Sequence, residues 1–222
     1  MKNQSFSANS QQAVEDKDLF MICFEVNQSA LSELPPDYHF RNCQEDELDI
    51  WKKIHFDTPD MANQHFDDMS DYYSRVYAPK DDLFFEKCLF AFDQDNAPVG
   101  TAFIWKAYDT FNSIHWFKVI KHYEGKGIGR ALLSTLTAEL SSKDFPLYLH
   151  THPASFRAIK LYSDFGFQFL TNPIIGRRKN DLTMALPYLE KMMPTQAFSA
   201  LRFIEVPQSF IRFMNLQAGE EF

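Results

Sequence analysis

The sequence predicts a mixed α/β fold of the α+β kind: a central mixed, mostly antiparallel twisted sheet flanked by helices, with extensions at both ends. Three observations point to it. Three apolar runs at residues 88–92, 99–106 and 113–120 are joined by connections so short that antiparallel pairing is the natural outcome. Residues 113–170 then alternate strand, helix, strand, helix, strand, and the first of these helices carries Leu132, Leu133, Leu136 and Leu140 on one stripe. Finally, 222 residues with a hydrophobic fraction of 45% suit one domain with extensions rather than two full domains.

Taken in order, residues 1–17 are rich in Ser, Gln and Asn and have little to bury, so they read as a mobile tail. Residues 18–26 form a short β-compatible apolar run and read as an edge strand. Pro35 and Pro36 break the chain before the first core strand at 38–42. A helix follows from Gln44, with acidic residues in its first turn, where they favour the helix dipole. Residues 56–79 are crowded with aspartates and aromatics, and 83–87 read as a helical turn. After the glycine-rich turn and its helix come a strand at 147–151, a helix opening at His152-Pro153, a stop at Gly166 and a strand at 167–170. Leu182, Ala185, Tyr188 and Leu189 suggest a further helix, kinked or restarted by Pro187. Phe198, Phe203, Phe210 and Phe213 follow; packing against the domain is favoured over a homodimer contact or a cap on a pocket. The resulting division is an N-terminal extension over 1–36, a domain over 37–186 and a Phe-rich extension over 187–222.

Chemistry concentrates where the third strand meets its helix. Gly125, Gly127 and Gly129 let successive backbone N–H groups face outward without a Cβ in the way. Helix N-terminal amides carry partial positive charge, and Lys126 and Arg130 add whole charges, so an anionic, phosphate-bearing ligand is expected. The spacing excludes a Walker loop, because Lys126 is followed by Gly127 and Ile128 rather than Ser or Thr. A dinucleotide fingerprint fits poorly, since the spacing is Gly-x-Gly-x-Gly and lies past the middle of the chain.

The run Val119, Tyr123, Gly125, Lys126, Gly127, Ile128, Gly129, Arg130, Ala131, Leu132, Leu133 resembles motif A of the GNAT superfamily of N-acetyltransferases. Ala158, Leu161, Tyr162, Gly166 and Phe167 resemble that family's downstream segment, and residues from Tyr38 resemble its first strand and helix, so the likeness spans about 38–185. The sequence departs from the family pattern at Glu124, where Arg or Gln is usual, and at Ser155, where Asn is usual. The resemblance implies acetyl-CoA as co-substrate, held by Glu124, Gly125, Lys126, Gly127, Ile128, Gly129, Arg130, Ala131 and Ser155, with the main chain at Phe117 and Val119 gripping the pantetheine arm. It also implies Tyr162 as the acid for the departing thiolate and His115, four residues before Val119, as the base; His150 and His152 are weaker candidates. The expected activity is acetyl transfer to a primary amine on a small molecule or peptide, the alternative being a non-catalytic acyl-CoA-binding module.

Composition bounds the rest. A net charge of −8 opposes nucleic-acid binding and favours cationic ligands such as amines. No apolar run approaches the roughly 20 residues of a membrane span, so a cytoplasmic protein without a membrane partner is expected. Three cysteines without C-x-x-C spacing argue against a disulfide framework and a zinc site. The resemblance implies that the carboxylates of residues 56–79 border an entrance for a cationic amine, with a solvated helix face as the equal alternative; a metal set drawn from His65 and these aspartates is set aside, because such spacing arises by chance in any acidic segment, so no metal is expected. The basic cluster Arg177, Arg178, Lys179 reads as a solvated loop in preference to a phosphate contact.

Overall fold

A computed structural model describes residues 14, 17–217, 219 and 221–222. The expected mobile tail therefore falls almost wholly outside the described residues. The chain divides into one unit over residues 28–144 with Glu221 and another over the N-terminal part to Asn27, 145–220 and Phe222.

In the first of these, four antiparallel strands run in the order β5 (Phe111–Val119), β4 (Pro98–Ala107), β3 (Leu89–Phe92), β2 (His39–Asn42). Side chains alternate across a strand, so Phe90 and Phe92 of β3 enter one core while Ala91 between them enters another. The larger core is covered by α1 (Leu48–Ile54), α3 (Phe66–Val76) and α4 (Leu83–Lys87), which contribute Trp51, Met69, Val76 and Phe84, while α2 (Pro59–Gln64) packs on α1 and α3. Each such aromatic or aliphatic side chain contributes about 1.5–3 kcal/mol on burial. Helix starts are set locally: Glu47 accepts from the Gln44 N–H at 2.9 Å ahead of α1, and the Thr58 hydroxyl accepts from the Met61 N–H at 3.3 Å at the head of α2. The smaller core is closed by α5 (Ile128–Ala138), which lays Ile128 and Leu132 on Ala91 and Val99. Thr137 is also buried on α5, its hydroxyl returned to the Leu133 carbonyl at 2.7 Å.

The other unit orders its strands β10 (Phe203–Ile204), β7 (Gln168–Leu170), β1 (Leu19–Cys23), β6 (Leu147–Thr151). Here the expectation of an edge strand is corrected. β1 pairs antiparallel with both β6 and β7, and all five of its residues are fully buried. The reason is its composition: Leu, Phe, Met, Ile and Cys in succession leave no polar face for solvent, as suits an interior strand. β10 pairs parallel with β7 and was not foreseen. A 3-10 turn at Pro153–Ser155 leads into α6 (Phe156–Asp164). Two short strands, β8 (Ile174–Ile175) and β9 (Arg178–Lys179), form a hairpin, so Arg178 and Lys179 stand on a strand rather than in a plain loop. α7 (Leu182–Met192) runs on through Pro187, followed by α8 (Thr195–Ser199) and α9 (Gln208–Leu216). Phe210 stacks on Tyr148 at 4.3 Å and 3°, and Phe222 lies against Phe20 and Tyr148. Phe210 and Phe222 thus pack onto their own unit, whereas Phe203 is exposed.

Candidate active site

The glycine loop is built by backbone geometry. β5 ends at Val119, one 3-10 turn covers Lys121–Tyr123, and Glu124 is extended at φ −62° and ψ 152°. Gly125 and Gly127 then adopt φ of +76° and +87°, and Gly127 caps α5. An L-residue held there costs about 1–2 kcal/mol, which is why glycine stands at both positions. Gly125 and Gly127 are exposed, Gly129 is half-buried, and a Cβ at Gly125 would meet nothing within 4 Å. The turn is therefore clear at Gly125, while a Cβ at Gly127 would meet Pro35 at 3.4 Å, so Pro35 borders the head of α5, whose first-turn amides have no intrahelical acceptor. Lys126 lies exposed with its ammonium 4.7 Å from the Tyr123 ring centroid, and the Tyr123 hydroxyl donates to Asp93 at 2.7 Å. Arg130 donates to the Ala30 carbonyl at 3.0 Å, and Ile128 and Ala131 are buried, so these three anchor the loop from beneath. Glu124 is exposed beside it.

A second feature lies at the middle of β5. His115 pairs with Phe103 and Lys118 with Thr101, so Trp116 and Phe117 together oppose Ala102. That is a β-bulge, and Trp116 sits at φ +52°, a region rarely tolerated by a bulky residue. Packing holds it there. The Trp116 ring lies 4.7 Å from His55, 5.4 Å from Tyr72 and 5.7 Å from Trp51, and its indole N–H donates to the Tyr77 hydroxyl at 2.9 Å. Bulges re-aim a strand's main chain, and this one falls at Phe117, two residues before Val119.

Tyr77 is the hub of this cluster. Its hydroxyl is fully buried, meets His115 Nδ1 at 2.7 Å and also bonds Tyr72. Burial pushes its phenol well above the ordinary range, so it is neutral. With the indole N–H already donated to it, Tyr77 can pass its own proton to Tyr72 and accept from His115 Nδ1–H; in that tautomer the lone pair is on His115 Nε2. His115 is 6% exposed. His55, also buried here, is pushed down to about 3, first by burial and then by the Lys118 charge, and neither its Nε2 nor Trp51 Nε1 has a hydrogen-bond partner.

Several of the carboxylates expected to border an amine entrance are paired instead. Asp57 holds Lys118 at 2.6 Å, Asp71 holds Arg75 at 2.8 Å, and Asp68 meets His65 at 3.0 Å. No third metal-ligand residue joins His65 and Asp68 among the described residues.

The remaining named residues belong to the other unit. Tyr162 on α6 is buried, with its ring 5.8 Å from Phe167, and burial raises its phenol, keeping it protonated. Ser155 is exposed at the end of the 3-10 turn. His150 and His152 lie together with Asp18, and the His150 imidazole, pushed down to about 4 chiefly by burial, is neutral. Sequence reasoning named His115 but missed Tyr77 and Trp116 as its supports, since neither a bulge nor a cross-cluster hydroxyl has a local sequence signature.

The sequence model of the Acetyltransferase (GNAT) family matches residues 41–167. A protein of Bacillus subtilis subsp. natto named a probable spermine N(1)-acetyltransferase is 42% identical over 55 residues, 24% of this chain. The matched stretch spans 36% of that relative's length. Among solved structures, a GCN5-related N-acetyltransferase from Sphaerobacter thermophilus aligns at TM-score 0.45 and 18% identity, covering 66% of this chain and 48% of that one. A GNAT-family acetyltransferase from Staphylococcus aureus aligns at TM-score 0.42 and 15% identity, covering 57% of this chain and 81% of its own.

Proposed function

The chain belongs to the GNAT acetyltransferase family, and from that premise we propose that it transfers acetyl from acetyl-CoA directly to a primary amine. The observation that carries the proposal is the open turn at Gly125 and Gly127, whose left-handed residues lead into the N-terminus of α5 beside Lys126. The residues present fit an anion: a side chain at Gly125 or Gly127 would be strained at φ +76° and +87°, and a helix N-terminus with an exposed lysine beside it favours negative charge. The coenzyme's diphosphate is the proposed occupant, contacted by the main chain of Gly125–Ala131, with Glu124 and Ser155 kept as further contacts. The pantetheine arm is assigned to the main chain at Phe117 and Val119, where the bulge turns the strand.

In the reaction proposed, the amine nitrogen attacks the thioester carbonyl carbon, a C–N bond forms, and the C–S bond breaks with its electron pair leaving on sulfur. The amine's proton must go to a base and the thiolate must receive one. A free alkylamine resembles lysine, with a pKa near 10.4, so deprotonation is part of the work. We assign the base to His115 Nε2, with Tyr77 and Trp116 positioning the ring through Nδ1. We assign the acid to Tyr162, whose neutral phenol is in the state an acid requires. The relative's name motivates a polyamine as one acceptor to try. Residence in the cytoplasm belongs to the same proposal: Cys23, Cys43 and Cys88 are all free thiols, as a reducing compartment keeps them. Among the described residues no helix is long and apolar enough to cross a membrane.

The test is release of CoA thiol from acetyl-CoA in the presence of a panel of amines that includes spermine, alkylamines, amino acids and peptide N-termini. Amine-dependent release supports the proposal. Saturable uptake of acetyl-CoA with no release for any amine would replace it with the non-catalytic binding module.

A further inference from the structure

We propose that Asp18, His150 and His152 form a binding site for a divalent transition metal of the zinc class. The three residues offer one ligand atom each, all within 4.8 Å of one another, and all three side chains are half-buried. The fold creates this set from distant positions. β1 and β6 pair antiparallel with Leu19 opposite Thr151 and Phe20 opposite His150, so Asp18, just before β1, falls beside the end of β6. His150 and His152 are two residues apart, and residues at that spacing share a face of an extended chain. Their rings stand 4.8 Å apart at 82°.

The hydrogen bonds prepare the donors. His152 Nδ1 lies 3.2 Å from the Lys17 carbonyl oxygen, which only accepts; Nδ1 therefore carries the proton and Nε2 the lone pair. A backbone carbonyl fixing one ring nitrogen while the other ligates is the usual outer-shell arrangement of a histidine ligand. His150 Nε2 donates to Asp18 Oδ1 at 2.7 Å, a pair in which a cation takes the place of the shared proton. Two imidazoles and a carboxylate make a set suited to zinc, with the fourth position left to water. Arg178 opposes occupancy: its Nη1 is 3.1 and 3.3 Å from the two ring nitrogens of His150, nearly equidistant and so over the ring. Its positive charge makes this a site of moderate affinity. Asp18 and His150 stand 132 positions apart, beyond any spacing motif, so the sequence alone does not pair them.

The experiment titrates the metal-free full chain with Zn²⁺ against a chromogenic chelator. One Zn²⁺ per chain is expected, weakened at least about tenfold by Asp18→Asn and by His152→Ala. His152→Gln serves as a second variant should His152→Ala fold poorly, with circular dichroism as the check. His65→Ala, which touches the other histidine and aspartate pair, is expected to bind as the unaltered chain does. Absence of stoichiometric binding, or binding undiminished in the folded Asp18 and His152 variants, overturns the proposal.

Discussion

His55 is the residue whose burial has the plainest consequence for stability. Its pKa falls from 6.5 to about 3, chiefly because burial penalises the imidazolium, so the folded chain holds it neutral while the unfolded chain protonates it first on acidification. Stability is therefore retained above about pH 6.5 and lost as pH falls from there toward 3, at up to about 1.4 kcal/mol per pH unit for one such group. Carboxylates held low, Glu47 among them, titrate at lower pH and leave the upper part of this window to histidine. His55→Phe is expected to shrink the fall in Tm between pH 7 and pH 5; an unchanged fall would remove His55 as its source. Tyr162 carries a kinetic prediction at the same scale. Tyr162→Phe keeps the ring in its buried place and removes the proposed acid, so kcat falls about a hundredfold or more while KM for acetyl-CoA stays near its original value. Equal turnover in the two proteins would take Tyr162 out of the chemistry.

At the scale of elements, the bulge in β5 links packing to mechanism. Trp116 is held at φ +52° by an aromatic cluster whose polar centre is the Tyr77 hydroxyl. Tyr77→Phe leaves the indole N–H and His115 Nδ1 without that partner, a loss of about 1–3 kcal/mol measurable by urea unfolding. It is also expected to shift the pH dependence of kcat/KM by releasing the His115 ring; a stability loss with an unmoved pH profile would make the contact purely structural. Much of this was legible beforehand. The strand read at 147–151 is β6 as observed, since β-compatible residues between turn signals define it locally. The helix after the glycines was legible from its leucine stripe, although burial falls on Ala131, Ser134 and Thr137 as well as on leucines. The bulge was not legible, because it depends on register between Thr101 and Lys118 on a neighbouring strand. Nor was the interior place of β1, whose partners Leu147–Thr151 and Phe169 lie more than a hundred residues downstream.

For the whole molecule, the C-terminal segment contributes to the fold as an integral part. β10 adds a parallel strand to β7, and Phe210 and Phe222 pack about Tyr148. Phe210→Ala is expected to destabilise the chain by up to about 3 kcal/mol, the value for a fully buried side chain, and less in proportion to its partial exposure; denaturant midpoints indistinguishable from the parent would show the segment to be dispensable. Calorimetric titration with acetyl-CoA tests the role of the glycine turn most directly. One molecule is expected to bind per chain, with affinity sharply reduced in Gly125→Ala and Gly127→Ala, whose side chains strain a backbone at φ +76° and +87°. Pantetheine, which lacks the diphosphate, is expected to compete poorly. Tight binding that ignores both glycine substitutions, or no binding to the unaltered chain, would contradict it.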